Sequence, residues 1–365
     1  MRSIAVFLVA VIASFDVAAQ PPPSLVLPAG FRIETYADQI PKARELALGS
    51  KGTVFVGSLD AGKVYALTDS TGDGHADKVR VVASGLKLPS GVAFHGGDLY
   101  IGALSHVYVL RDIEHHLDTP PKLETITDKL PDDTHHGWKF IAFGPDDRLY
   151  VAVGAPCNVC EPDAEHARLL SMKADGSDWR DVASGIRNTV GFDWQPGTKE
   201  LWFTDNGRDM LGDDLPSDEL NRITRAGENF GFPFCHQGDT PDPEFAKGRS
   251  CKDATPPVLK LGAHVASIGM RFYTGTMFPP AYRGAAIIAE HGSWNRSKKS
   301  GYRVMAVELD GAKVKSYQPL VDGFQKEEKT FGRPADVLVM PDGALLVSDE
   351  LSGAVYRVSY AAAKR

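Results

Sequence analysis

The chain has 365 residues, with 47 Asp and Glu against 40 Lys and Arg and a formal net charge of −7. An acidic balance with no basic run lacks the electrostatic footprint of a nucleic-acid or anionic-membrane binder. Beyond residue 19 no apolar stretch approaches the roughly 20 residues that a bilayer span requires, and 36 glycines and 24 prolines punctuate the chain instead.

The first 19 residues read as a secretory signal peptide. Arg2 is a short positive n-region, residues 4–15 are mostly apolar, and Val17-Ala18-Ala19 is a small-residue cleavage site. The mature chain, residues 20–365, is therefore expected to be an exported single domain in a bacterial periplasm, with no membrane span. In that oxidising compartment four cysteines favour disulfides. Three connectivities are possible, and the local one, Cys157–Cys160 with Cys235–Cys251, is expected. The segment Cys157-Asn158-Val159-Cys160 is followed by Glu161 where covalent haem needs His. A zinc site would want a second ligand pair at suitable spacing.

From there the chain repeats one phrase: a short apolar strand, a Gly- or Asp-containing turn, and a second apolar strand. The second strands begin at 54, 99, 149, 201, 286 and 345, giving steps of 45, 50, 52, 85 and 59 residues. β-Branched and aromatic residues dominate these runs, and helical periodicity is nearly absent. Six such units, each able to make a four-stranded sheet, predict an all-β, six-bladed β-propeller. Blade one is expected from about Ala43 to Leu86, blade two to Lys129 and blade three to Ile186. Blade four starts at Asn188, blade five near His264 and blade six near Arg333. The alternating segment Phe31–Tyr36 is expected to supply the missing outer strand of the last blade and close the ring. The long step of 85 marks an insertion between about 205 and 265 that holds Cys235 and Cys251.

Residues just before each innermost strand reach one end of a propeller's channel. Here they are Arg44, Pro89-Ser90, His135 to Lys139, Arg187-Asn188, His264 to Ser267, and Arg333. A lone Arg at a strand start is usually solvated, but recurrence at equivalent blade positions predicts an anionic or strongly polar ligand on the axis. His136 is the candidate general base, because imidazole titrates near neutral pH. His135 beside it should point the other way in an extended segment. The acidic run Asp205–Asp209, Gly212-Asp213-Asp214 and Asp218-Glu219 suits either calcium or a solvated loop. A second acidic segment, residues 69–77, resembles a calcium loop, but its twelfth position is Arg80 rather than Glu. It is expected to be a turn between outer strands.

Several motifs resemble the PQQ-dependent glucose/sorbosone dehydrogenase family over nearly the whole mature chain. They are His135-His136-Gly-Trp-Lys-Phe-Ile-Ala-Phe-Gly-Pro-Asp146, Gly185-Ile-Arg187-Asn188-Thr-Val-Gly-Phe192, Asp218-Glu219-Leu-Asn221, Gly231-Phe-Pro-Phe-Cys235 and His291-Gly-Ser-Trp-Asn-Arg296. The resemblance implies a six-bladed propeller that binds PQQ and Ca2+, oxidises a small sugar and passes electrons to a soluble periplasmic acceptor. It makes His136 the catalytic base and gives Arg187 a catalytic as well as a quinone-binding role. Asn188, Lys299 and Arg333 become quinone contacts, and backbone carbonyls of the loop at Gly212, Asp213 and Asp214, just before Asp218 and Glu219, become the calcium site. Two family positions depart from the pattern. Ala335 stands where a second arginine is usual, and residues 86–89 lack the glutamine of the glucose enzymes. Arg44 is the candidate to compensate. Two other readings stay open: a calcium-dependent lactonase on the same fold, and a non-catalytic binding propeller that has lost PQQ.

Overall fold

A computed structural model describes residues 20–362; the signal-peptide expectation for residues 1–19 lies outside the described residues. Six antiparallel sheets form the ring. Blade one is built from the strands Ala43–Leu48, Val54–Ser58, Lys63–Thr68 and Lys78–Ser84, from the channel outward. Blade two is Gly91–His95, Asp98–Gly102, Val107–Leu110 and Glu124–Thr127. Blades three and four start with the inner strands Ile141–Phe143 and Phe192–Trp194, and blades five and six with Ser267–Phe272 and Pro334–Val339. The six repeated phrases are thus the inner hairpins of the six blades. Residues 69–77 form the turn between the third and fourth strands of blade one.

The ring closes as the alternation in Phe31–Tyr36 predicts. Strand Phe31–Ala37 pairs antiparallel with Ala354–Tyr360, so the N-terminal strand is the outer strand of blade six. The long insertion is not a single loop. Ser217–Arg222 is the third strand of blade four and Leu259–Ala263 its fourth, so the extra chain is split into 206–216 and 223–258. Within the second piece, Glu228–Asn229 adds a short parallel strand to blade three. Both local disulfides are present, Cys157–Cys160 and Cys235–Cys251.

Strand alternation explains the packing. Val54 and Val56 face the core shared with blade six, beside Leu338 and Leu346, while Phe55 between them faces blade two, beside Val92 and Ile101. Each strand therefore serves two inter-blade cores with its two faces. Where blades approach most closely, no side chain fits. A Cβ on Gly191, on the way into blade four's inner strand, would stand 2.2 Å from the carbonyl oxygen of Ile268 in blade five. Gly191→Ala is expected to force the two blades apart at a cost of about 1–3 kcal/mol, read as a lower denaturant midpoint. An unchanged midpoint would show that the interface can relax.

Inner hairpins of blades one, five and six share one irregularity. Their registers shift between Ala43 and Leu46, between Ser267 and Met270, and between Pro334 and Val337. Each is a one-residue bulge, which turns side chains that a regular pleat would send elsewhere. Arg44 and Glu45 lie in the first of these bulges, and Ala335 and Asp336 in the last.

Candidate active site

A cavity of about 240 Å³ sits at the channel end where the inner strands begin. Arg44 comes from blade one, His136 from the approach to blade three, Arg187 and Asn188 from blade four, His264 from blade five and Arg333 from blade six. Blade two contributes no lining residue; Ser90 instead bonds the backbone of Lys139 deeper in the channel.

His136 is held in one orientation. Its backbone is left-handed, with φ of 49°, a conformation His tolerates better than most residues. The segment is thus a turn, not the extended chain expected, yet only His136 lines the cavity while His135 stays exposed. His136 Nδ1 lies 2.9 Å from the Ala155 carbonyl, so Nδ1 carries the proton and Nε2 keeps its lone pair. Burial, then the charge of Arg187, lower its pKa to about 2.

Arg187 is fixed from all sides. Nε donates to Asn158 O at 2.8 Å, NH1 to Asn206 O at 3.2 Å, and NH2 to Asn158 Oδ1 at 2.8 Å and Asp209 Oδ2 at 3.2 Å. Of five guanidinium hydrogens, one on NH1 remains for a ligand. The Asp205 carboxylate accepts from the backbone N–H of Arg187 and of Asn188, at 2.9 and 2.6 Å. The same device recurs in blade six, where Asp349 Oδ1 accepts from the Arg333 N–H at 2.7 Å. Buried carboxylates at the ends of second strands thus seat two cavity arginines by their main chain.

The other two arginines differ in their partners. Arg44 donates to Glu350 Oε2 at 2.8 Å, and His291 Nε2 lies 3.0 Å from the same oxygen. Burial opposes ionisation of Glu350, but His291 and Arg44 outweigh it and hold its pKa well below the usual range. Arg333 donates only to backbone, at 3.2 Å to His291 O and 2.8 Å to Gly292 O. Among the described residues no carboxylate forms an ion pair with it. Burial lowers its pKa, the mark of a cation short of solvation.

Lys299 stands apart from the cavity arginines. It does not line the cavity, because Nζ is captured by Glu328 O at 2.6 Å and Thr330 Oγ1 at 3.0 Å. The five residues named for calcium do not bring their side chains together. Asp213 and Asp214 bind Ser297 and Arg296 on the surface, and Gly212 O accepts from His264 Nε2 at 2.8 Å. Adjacent on one strand, Asp218 and Glu219 face opposite ways. Asp218 accepts from the Gly207 and Ser267 amides, and Glu219 from the Gln237 amide. Among the described residues no group of three or more His, Cys, Asp or Glu side chains is placed to hold a metal ion. Asp205 and Glu219 are cross-strand partners. Burial, with Asp205 as the neighbouring charge, raises Glu219 to about 8.

Asn206, Asp209, His291, Trp294 and Glu350 also line the cavity. Except for Trp294, which lies on the exposed rim, sequence reasoning could have found these. Each follows a second strand, and an antiparallel hairpin returns that strand's end to the level of the first strand's start. Pro334 pairs with Asp349 and Ser267 with Glu290, so Glu350 and His291 surface beside Arg333 and Ala266.

A family model described as TrAA12-like matches residues 25–361. An uncharacterized protein of Borreliella burgdorferi is 33% identical, with 96% of this chain and 94% of that protein covered. The pyranose dehydrogenase PQQ domain of Coprinopsis cinerea in its holo form superposes with a TM-score of 0.82 at 18% identity, covering 94% of this chain and 99% of that one. The iodide structure of a Carbohydrate-Active Enzymes Family AA12 protein from Trichoderma reesei gives 0.81 at 21% identity, over 95% and 100%. PQQ-bound aldose sugar dehydrogenase of Streptomyces coelicolor gives 0.66 at 18% identity, over 92% and 99%. At these identities the structural likeness shows the shared propeller fold.

Proposed function

The chain belongs to the TrAA12-like family, and on that premise we propose that it binds PQQ in the axial cavity and oxidises a hydroxyl of an aldose or related sugar. Arg333 carries the reading. A guanidinium half-buried in a cavity wall without a carboxylate partner is costly unless an anion joins it. Arg44 stands in the neighbouring blade one and Arg187 across the channel in blade four, each with at least one hydrogen to spare, and PQQ brings three carboxylates. Arginine's planar fork is suited to such groups.

When bound, PQQ supplies a two-electron acceptor that takes a hydride from the substrate carbon. Arg44 and Arg333 bind and orient its carboxylates, replacing water around them. Arg187, its backbone clamped by Asp205, would offer its remaining NH1 hydrogen to the bound quinone. His136 Nε2 accepts the proton of the substrate hydroxyl, and the Ala155 carbonyl holds the ring in that tautomer. Calcium would be held by backbone carbonyls of the loop at residues 212–214, and no step is assigned to it. Export to a periplasm is part of the same proposal. Two disulfides suit an oxidising compartment, and a soluble acceptor there would collect the electrons.

The test is a titration of the purified protein with PQQ, followed by quinone absorbance. Stoichiometric binding is expected, with aldose-dependent dye reduction by the loaded protein. No binding at micromolar quinone would overturn the reading and leave a binding propeller.

A further inference from the structure

Beneath the active-site cavity the channel holds a second, far smaller one. Its volume is about 10 Å³, room for about one water molecule, and Arg44, Glu45, Ser90, Lys139 and Asp336 are among its walls. Glu45 and Asp336 lie in the bulges of blades one and six, and both are at least 96% buried, being 4% and 2% exposed. Glu45 Oε2 accepts from the Val92 and Ile141 amides at 3.1 and 3.2 Å, tying blade one to blades two and three. Asp336 Oδ2 accepts from the Leu46 amide at 2.9 Å. Their other oxygens, Glu45 Oε1 and Asp336 Oδ1, have no hydrogen-bond partner in the protein.

Charge does not balance at this level. Arg271 of blade five is the cation between the acids, with NH2 3.7 Å from Glu45 Oε1 and 3.4 Å from Asp336 Oδ2. A third carboxyl, the half-buried Asp193 of blade four, also feels Arg271. Lys139 Nζ is bonded to Gly137 O, and Arg44 is engaged by Glu350 in the cavity above. Three carboxyls, two of them buried, thus draw on the Arg271 guanidinium, with the Lys139 ammonium, its pKa lowered to about 8 by burial, as the second cation at the cavity. A metal ion beside that guanidinium would be repelled, whereas a proton neutralises one acid without adding a second cation.

We propose that the axial cavity is a proton-binding site, in which Glu45 and Asp336 share one proton at neutral pH across the space between them. A carboxylic O–H supplies the donor that the two partnerless oxygens lack, directly or through one water. Burial and the charge of Asp336 act in the same direction on Glu45, against Arg271. Burial raises the pKa of the Asp336 carboxyl, against Arg271 and, last, against Arg44, through which the site reaches the cavity above. Losing the proton therefore adds a second carboxylate competing for that arginine.

The experiment uses the protein without added cofactor, so it stands apart from the test of PQQ binding. Infrared spectra at pH 7 are expected to show the carbonyl stretch of a protonated carboxyl that disappears in Glu45→Gln. Other buried acids do not confuse the reading, because only the difference between the two proteins counts. Thermal unfolding against pH gives a second readout. An acid protonated in the fold contributes stability below its unfolded pKa of about 4.3, and that contribution fades as pH rises. Glu45→Gln keeps the neutral form at every pH. Its Tm should match or fall below wild type at pH 4.5 and exceed it at pH 8. A variant that loses more at pH 8 than at pH 4.5 would overturn the proposal, since that is the signature of an ionised Glu45 paired with Arg271. Should Glu45→Gln fail to fold, Asp336→Asn is the second variant. Removing the like charge lets Glu45 ionise against Arg271, so the band should vanish; a band that persists would refute the shared proton.

Discussion

Replacing His136 with alanine is expected to lower sugar-dependent dye reduction by about 10²- to 10⁴-fold, the usual worth of a positioned general base. PQQ binding should survive, because the groups assigned to the quinone are arginines. Loss of binding with loss of activity would make His136 a cofactor contact instead, and unchanged activity would remove it from the mechanism. The pH behaviour follows from its surroundings. With a pKa near 2, His136 stays neutral above about pH 4, so the free protein shows no acid limb from this residue. So low a value also makes a weak base. Burial is the larger cause and the field of Arg187 the second. An anion bound at Arg187 would offset that second contribution and raise the basicity of the imidazole. Quinone binding and base strength are thereby coupled through one guanidinium.

The second large effect is expected at Arg187. Arg187→Ala should abolish stoichiometric PQQ binding and also weaken the fold. The residue is 4% exposed, and its side chain ties Asn158, Asn206 and Asp209 together. Its removal leaves the Asp209 carboxylate without its arginine in a buried setting, a change that costs about 3–5 kcal/mol. A denaturant midpoint and a PQQ titration measured on the same protein separate the two losses. Arg187→Lys is the informative companion. It retains the charge but not the fork, so it should recover part of the stability and little of the binding. If Arg187→Ala bound quinone as tightly as wild type, the arginine would be a structural clamp alone.

Arg187 also shows why some residue roles were open to sequence reasoning and others were not. Its place before an inner strand follows from the repeat, so the cavity position was legible. Its partners were not, because Asn158 and Asp209 come from a disulfide-tied loop and an insertion whose paths no local pattern encodes. The placing of Lys299 was hidden for a related reason. A lysine beside a cavity is free to turn away, and a carbonyl in the loop at 328 offers its ammonium a closer bond. Among the acidic loop residues, alternation alone sends Asp218 and Glu219 to opposite faces, so that pair was separable from the sequence once residues 217–222 were known to be a strand.

What the sequence determined by itself is the propeller and the level of the site. Strand, turn and strand recur six times, each strand alternates between two inter-blade cores, and hairpin geometry brings all strand starts to one end. An alternating N-terminal segment likewise had one place to go, the unpaired edge of the last blade. Only the tertiary structure decided how the charges are shared. Glu350 lies 306 residues from Arg44, and Asp336 lies 290 from Leu46. Ring closure brings the first and last blades together, and one-residue bulges choose which side chains turn upward and which turn to the axis. Electrostatic partnership depends on distances of a few ångströms, and those distances are set by blade-to-blade packing rather than by any neighbour in the chain.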